Sequence, residues 1–436
     1  MFFLSNVHAQ KKPAQPKSKK AVSTPSKNSK AKVADSIPIA LSATKEARLA
    51  YYKKVQNEYV NGNLSSPLHK DTEKDWMIAF DGISQVGFRS PLVLNRLHYA
   101  FADINSRSVE FQMALLELLY GSFPFEFQPQ VALLMEETGN ARIFALCVEY
   151  LMLDEQNDKY KPSYRRLLEE KMFANPADAN YKALKRRLEY NTVFSTPDLS
   201  ELLKWEFLPG TVILFSVQKT NRDYPGIMLV RKANGKFLRN ADNTLFYIPQ
   251  LARSISNLPY YLDNGNTAQG IYRMREMTVS TNPFIGPTAY IQLMLPVEAK
   301  VQEFNPNLKN DIWFAVTYRS LLPKSWKNYE PINEAYYAGM AGRKDTKIHG
   351  TTINPEYYAG KTWYPQTPYL GGLTTAETWD EKTGRRLVSD QAKIIDAVKK
   401  AGSSSGYCVV IDMDNKPAPV NIADLQKLVD EIESEK

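Results

Sequence analysis

The spacing of apolar residues changes along the chain, and this change constrains the fold more than any other feature. Between residues 43 and 195 apolar side chains recur at helical spacing, for example from Ile143 to Leu151. After the turn-rich segment 196–209 the pattern favours strands, and the last 50 residues return to helix–strand–helix. The sequence therefore predicts helices first, then a sheet, then closing helices.

We predict an α+β protein in which an N-terminal all-α, solenoid-like domain precedes a mostly β domain with closing helices. The predicted divisions are 1–40, a signal-peptide remnant and Lys/Pro/Ser tail; 41–205, the helical domain; and 206–436, the β-rich domain. Helix N-caps are expected where a polar residue precedes an apolar stripe. These are Ser108, Asn140, Ser389 and Asn421. Asn234-Gly235 predicts a type I′ hairpin turn.

The net charge of +8 belongs to one end of the chain. Of 55 Lys and Arg residues, eight are lysines within residues 1–32, a segment without any acidic residue. The remainder carries 47 basic and 47 acidic side chains. A protein that neutralises many phosphates needs a basic excess on its folded body, so no nucleic-acid partner is expected. No apolar run reaches the roughly 18 residues of a membrane span, so no transmembrane span is expected.

Residues 1–10 resemble the end of a secretory signal peptide, with Val7-His8-Ala9 as the small-residue cleavage site. The basic start and full apolar stretch are missing, so either the true start lies further upstream or the segment is a short apolar stretch that is not a signal peptide. A periplasmic or secreted location follows from this interpretation. Residues 11–34 have little to bury and are predicted to be disordered. Their lysines form either a solvated linker or a contact with an anionic wall or membrane surface.

The chain offers little to hold a metal or a disulfide framework. Cys147 and Cys408 are the two cysteines, and each lies in an apolar stripe where a packed thiol is expected. The four histidines have no metal-ligand spacing with each other or with the cysteines. We predict no metal site and no cofactor.

Two segments of the β-rich part carry the candidate chemistry. The first runs from Asp263 to Tyr272, DNGNTAQGIY, and the second begins at Ile348-His349-Gly350 and continues to Leu370-Gly371-Gly372-Leu373-Thr374. In this order they resemble the L,D-transpeptidase (YkuD-like) catalytic domain, which crosslinks bacterial peptidoglycan. That family shows an N/D-G-x-T-P-x-G-x-Y loop, then a strand ending in H-G, then S-x-G-C-x-R.

The resemblance covers roughly residues 210–415 and has clear departures. Ala268 replaces the usual Pro, Tyr369 the Ser or Thr, and Thr374 the Arg. Gly372 stands at the position of the nucleophilic cysteine. The chemistry needs a thiolate that attacks the stem-peptide carbonyl while a histidine takes its proton. The resemblance therefore implies a degenerate member without transpeptidase activity.

The resemblance also implies the site residues. His349 and Gly372, the position of the missing Cys, correspond to the catalytic pair. The implied substrate-binding residues are Gly350, Gly371, Thr374, Thr267 and Tyr272. His349 either holds its loop by hydrogen bonding or belongs to a site that still grips a stem peptide. The tyrosines and Trp363 around it form either a binding wall or part of the core.

Three functions remain open from the sequence. The first is an envelope protein that binds peptidoglycan or its stem peptides, or regulates crosslinking, without catalysis. The second is an active transpeptidase with an unorthodox nucleophile, for which Thr374, Thr375 and Cys408 are candidates. The third is a scaffold whose helical domain binds another envelope protein.

Overall fold

The computed structural model describes residues 37–189, 194–403 and 405–435. The predicted signal peptide and the lysine-rich segment therefore lie outside the described residues. The described chain is a mixed α/β protein in which helices dominate the N-terminal part and an eight-stranded sheet the remainder. The solenoid-like arrangement and the identity of the β-rich part stay predictions.

Nine α-helices, counted over the described residues, precede the first strand. They are α1 (Lys45–Lys54), α2 (Glu73–Val86), α3 (Pro91–Ala100), α4 (Val109–Ser122), α5 (Gln128–Glu137), α6 (Ala141–Leu151), α7 (Lys161–Ala174), α8 (Ala179–Glu189) and α9 (Ser200–Leu203). A π-helical segment, Val55–Gly62, continues α1. We call residues 45–203 the helical region.

The predicted caps explain where several helices begin. The Ser108 side chain accepts a hydrogen bond from the Phe111 N–H at the start of α4. Asn140 accepts from two N–H groups at the start of α6, and every residue of this helix except Arg142 is buried. Side-chain caps satisfy donors that the first helical turn leaves unpaired, so both cap predictions are confirmed.

The main sheet contains eight strands in the order β3-β2-β1-β10-β4-β5-β6-β7, and β8 and β9 form a separate hairpin. The strands are β1 (Val212–Lys219), β2 (Gly226–Arg231), β3 (Tyr247–Gln250), β4 (Gly270–Val279), β5 (Ala289–Met294), β6 (Lys347–His349), β7 (Leu373–Thr374), β8 (Glu377–Trp379), β9 (Arg386–Ser389) and β10 (Gly406–Asp414). The pairs β1–β10 and β6–β7 are parallel and the other pairs are antiparallel.

Five further helices lie among or after these strands in the described residues. They are α10 (Val301–Phe304), α11 (Ala315–Arg319), α12 (Glu334–Met340), α13 (Asp390–Lys400) and α14 (Ile422–Ser434). Ser389 and Asn421 cap α13 and α14 as predicted.

The sheet is covered on both faces. Alternate residues of β1 enter two different cores: Phe215 packs in the one that contains α14, and Leu214 in the one that contains α13. Strands buried on both faces are mostly apolar, and β1 is buried throughout, with Ser216, Gln218 and Lys219 as its polar residues. Cys408 lies in β10 and Cys147 in α6, and both are buried free thiols.

The predicted Asn234-Gly235 hairpin forms only in part. A single bridge joins Arg231 to Phe237, and β2 pairs over its length with β1 and β3 instead. Gly235 has φ of 82°, whereas Asn234 is not in the positive-φ region. The type I′ prediction was wrong, because that turn requires positive φ at both central residues.

The N-terminal part of the described chain contacts the sheet and its loops in several places. Leu258, Tyr261 and Leu262, from the loop between β3 and β4, belong to the hydrophobic core of the helical region. Pro38 accepts a hydrogen bond from the Arg386 N–H, and Lys45 donates to the Glu381 carbonyl. Residues 38–40, assigned from sequence to the tail, thus pair with the β8–β9 hairpin. Every described helix is too short or too polar to cross a membrane.

Candidate functional site

The loop from Asp263 to Tyr272 is held in one shape by its own backbone. The Asn266 N–H donates to the Leu258 carbonyl at 2.7 Å, and the Thr267 N–H donates to the Ala252 carbonyl at 2.9 Å. A Cβ on Gly265 would lie 2.0 Å from the Pro259 oxygen, so only glycine fits there. The loop therefore presents Thr267 in a fixed position.

Thr267 joins this loop to the two glycines of the second segment. Its hydroxyl lies 3.2 Å from the Gly371 carbonyl oxygen and 3.1 Å from that of Gly372. Gly371 has φ of 79°, and a Cβ there would lie 2.4 Å from the Gly265 oxygen. Two segments about 100 residues apart are thus in close contact.

His349 is the third member of the cluster. Parallel pairing of β6 with β7 sets Ile348 opposite Leu373, so Gly372 lies beside the His349 ring. A Cβ on Gly372 would be 3.1 Å from His349 Nε2. We call His349, Gly350, Thr267, Gly371 and Gly372 the motif site.

The protonation state of His349 follows from its contacts. Nδ1 lies 2.7 Å from the Gly350 carbonyl oxygen, which can only accept, so Nδ1 carries the proton and Nε2 is left with its lone pair. Burial lowers the pKa of His349 to about 4, which keeps the ring neutral at pH 7. A basic nitrogen therefore faces the backbone of Gly372, where the family has a thiol.

The motif site leaves no room for a side chain at position 372. A Cβ there would lie 2.7 Å from the Lys347 carbonyl oxygen, closer than atoms of this kind approach. His349 is 1% exposed, and its ring makes an edge-on contact with Tyr369 at 5.1 Å between centroids. The site is closed as well as lacking a nucleophile.

The alternative nucleophiles are engaged elsewhere. The Thr374 hydroxyl donates to the Thr367 carbonyl at 2.7 Å, and the Thr375 hydroxyl lies 3.1 Å from Gln391 Oε1. Cys408 is buried in β10 opposite Tyr272, and burial raises the pKa of its thiol. Tyr272 donates to the Ala268 carbonyl and so holds the loop. Both Thr374 and Tyr272 thus have structural contacts in place of an exposed binding surface.

Two buried charged residues that support the motif site escaped sequence reasoning. Arg343 donates hydrogen bonds to the carbonyls of Tyr260, Gly265, Asn266 and Gly371, so it ties the two glycine loops together. Glu377 accepts from Thr288 and Ser389, and its carboxylate fills the space that a side chain at Gly350 would need. Burial raises the pKa of Glu377 to about 7. Neither residue belongs to a motif, so the sequence held no signal for them.

Glu334 is a further buried acidic residue near this loop. It begins α12 and accepts a hydrogen bond from the Gln269 N–H at 2.9 Å. Burial and the neighbouring Asp412 raise its pKa. Arg222 pairs with Asp412 and also donates to the Thr267 carbonyl. Glu334 directly, and Asp412 through Arg222, therefore support the loop from Asp263 to Tyr272.

A cavity of about 520 Å³ lies next to the motif site, between helices α1 and α2 and loops of the sheet. We call it the aromatic cavity. Its aromatic walls are Tyr51, Tyr52, Tyr59, Phe284, Tyr357 and Tyr369. Tyr369 both lines this cavity and contacts the His349 ring, so its side chain separates the two sites.

For the tyrosines and Trp363 the sequence left open a binding wall or the core, and most of them lie away from the aromatic cavity. Tyr336 and Tyr337 belong to the core beneath α14, and Trp363 lies under the Arg253 guanidinium at 4.1 Å. Tyr357 and Tyr369 do line the aromatic cavity. Among the described residues, no group of His, Cys, Asp or Glu is arranged to hold a metal ion.

A scan against protein-family models, a search of curated proteins and a search of solved structures each found no match.

Proposed function

We propose that the chain is a bacterial cell-envelope protein that binds peptidoglycan or its stem peptides without cleaving them, and that it does so with an L,D-transpeptidase-like domain whose motif site is closed. One observation carries this proposal. The three short segments that resemble the family's motifs contact one another in the fold. The Thr267 hydroxyl donates to the Gly371 and Gly372 carbonyls, and Gly372 lies beside His349 Nε2.

The absence of catalysis follows from the same contacts. His349 is neutral and offers a base, but Gly372 has no group from which a proton could be taken. Without a nucleophile, an acyl intermediate cannot form, and the remaining acceleration from binding is smaller by orders of magnitude. Incubation of the full chain with a tetrapeptide donor should therefore give no acyl adduct by intact-mass analysis. An adduct or turnover would overturn the non-catalytic part of the proposal.

Binding is tested with purified sacculi and the full chain. Because the eight lysines of residues 1–32 attract any anionic wall, the matched control replaces all eight with glutamine. Both proteins should sediment with sacculi, and retention should persist at a salt concentration that screens surface charge. Retention by the lysine-containing chain alone would assign binding to the tail, and no retention by either would reject the proposal.

The match at position 372 has its own test. Gly372→Cys puts a sulfur beside His349 Nε2, and Tyr369→Ser in addition uncovers the ring. We expect the folded double variant to form a covalent adduct with a carbapenem at least about tenfold faster than Gly139→Cys, an exposed position where a Cβ meets nothing within 4 Å. A folded double variant no faster than this control would contradict either the match of Gly372 to the family's cysteine position or the proposed pocket around it.

A further inference from the structure

The aromatic cavity is open to a ligand, whereas the motif site is closed. Its volume of about 520 Å³ falls within the roughly 300–1,000 Å³ of ligand pockets, and most of its lining is apolar. Tyr52 is 41% exposed and Tyr357 is 57% exposed, so much of each ring is available for contact. A ligand therefore has room here that the motif site does not offer.

The charged side chains of the cavity lining are already engaged. Arg48, from α1, reaches Glu381 through Nη1 at 3.3 Å. Its Nε has no hydrogen-bond partner among the described residues, but that atom is buried and so is not exposed to the cavity. Asp81, from α2, also has an interaction partner. Neither side chain therefore calls for a charged ligand.

Two uncharged side chains of the lining keep donors in reserve. Gln85 Oε1 accepts from the Tyr51 hydroxyl, and Asn354 Oδ1 accepts from the Glu356 N–H at 3.2 Å. The NH₂ groups of Gln85 and Asn354 make no hydrogen bond within the part of the chain that the structure describes. Each such group can donate two hydrogen bonds. The cavity thus presents uncharged donors beside aromatic rings.

The walls are fixed in place before any ligand arrives. Ser42 donates to the Pro283 carbonyl at 2.9 Å, and Tyr51 packs edge-on against Phe284 at 5.3 Å between ring centroids. These contacts attach α1 and the residues before it to the loop between β4 and β5. A preformed cavity loses little entropy on binding.

This combination of groups matches the chemistry of a sugar. The C–H groups of a pyranose carry partial positive charge and pack on the negative face of an aromatic ring, while its polar substituents hydrogen-bond at the edge. An acyl chain would cover the Gln85 and Asn354 donors without pairing them, which is unfavourable. A stem peptide brings carboxylates, for which the lining has no unengaged cation among the described residues.

We propose that the aromatic cavity binds the N-acetylated glycan strand of peptidoglycan, with sugar rings on Tyr52 and Tyr357 and acetamido carbonyls accepting from Gln85 and Asn354. The inference rests on the proposed function and assigns binding to the glycan. It also places that binding outside the motif site, beyond Tyr369.

The test is calorimetric titration of the full chain with tetra-N-acetylchitotetraose, and separately with cellotetraose, which has hydroxyl groups in place of the acetamido groups. One hydrogen bond is worth about fivefold in affinity. Wild type should therefore bind the acetylated sugar at least about fivefold more tightly. Equal binding of the two sugars, or no binding of the acetylated one, would overturn the inference.

Sacculus retention separates this inference from the proposed function. Retention of the chain on sacculi without binding of the acetylated sugar would overturn the inference and leave the proposed function standing. Binding of the acetylated sugar without retention on sacculi would reject the proposed function and leave the cavity as a sugar site.

A ring deletion locates the sugar in the cavity. Tyr357→Ala should weaken binding of both sugars by about fivefold, because an exposed aromatic surface is lost. Tyr160→Ala is the matched control, since Tyr160 is 46% exposed and lies outside the cavity lining, and it should bind as wild type does. Equal affinities of the two variants would place the sugar elsewhere.

A double variant tests the donors. Gln85→Glu with Asn354→Asp keeps the oxygens that accept from Tyr51 and Glu356 but removes both NH₂ groups. The folded double variant should lose the preference for the acetylated sugar over cellotetraose. A preference that survives would show that these amides do not hold the acetamido groups.

Discussion

The motif site and the aromatic cavity share one wall, Tyr369, and differ in almost every other respect. The motif site is polar, buried and filled: the Thr267 hydroxyl and His349 Nδ1 hydrogen-bond to backbone carbonyls, and His349 Nε2 faces the backbone of Gly372. The cavity is apolar and open, with charged side chains at its margin. In this molecule the residues that resemble a catalytic centre hold the fold together, while the space for a ligand lies beside them.

The largest expected effect is at Arg343, which holds the two glycine loops of the motif site. Arg343→Ala leaves buried carbonyls of four residues without this donor and should lower the free energy of unfolding by about 3–5 kcal/mol, measured by urea denaturation. Arg275→Ala, which breaks only a surface ion pair, should change it by less than about 1 kcal/mol. Equal effects would mean that the loops do not depend on Arg343.

Next in size is the pH dependence caused by His349. Its pKa is about 4 in the fold against 6.5 for an unperturbed ring, so the unfolded chain binds its proton first as the pH falls. The free energy of unfolding of the wild type should therefore fall by about 3 kcal/mol more than that of His349→Gln between pH 7 and pH 4. Glu377, with a raised pKa, contributes in the opposite direction but equally in both proteins.

Urea denaturation of both proteins across this pH range measures the difference. If the free energy of unfolding depends on pH in the same way for wild type and His349→Gln, His349 is solvated. The motif site would then be open to solvent, as the aromatic cavity is.

A smaller effect is expected at Gly372. Gly372→Ala brings a Cβ to 2.7 Å from the Lys347 oxygen, which forces β6 and β7 apart and should cost about 1–3 kcal/mol in the free energy of unfolding. Gly139→Ala, where a Cβ meets nothing within 4 Å, is the matched control and should be neutral or slightly stabilising. A neutral Gly372→Ala would mean that the site has space for the missing side chain.

The smallest effect should come from the cavity wall. Tyr357 is 57% exposed, so Tyr357→Ala should change the free energy of unfolding by about 0.5 kcal/mol or less in the same assay. A loss above about 2 kcal/mol would place this tyrosine in the core and remove the contrast between the two sites.

Local features of the fold could be predicted because their causes are local. Ser108 and Asn140 cap the helices that follow them, and both the capping group and its partners lie within three residues. The Asn234-Gly235 turn could not be predicted from local residues alone. More residues of β2 pair with β1 and with β3 than with the segment after the turn. Tertiary pairing outweighed a local preference.

Some residues of the candidate site could likewise be predicted from short motifs, and others could not. The meeting of Thr267, His349 and Gly372 was expected from the order of short motifs. Arg343 and Glu377 could not be found, because their partners are backbone carbonyls and hydroxyls from remote segments. The aromatic cavity was equally hidden, since its walls are separated by about 200–300 residues along the chain.

The attachment of Pro38 and Lys45 to the β8–β9 hairpin has a consequence for biosynthesis. Residues near the N-terminus leave the ribosome long before Glu381 and Arg386 exist, so the wall that α1 contributes cannot close until most of the chain has been made. Helices can form early from local contacts, but this closure joins residues about 340 positions apart. A helical fragment produced alone therefore has half of the cavity, and binding by the cavity is a property of the finished chain.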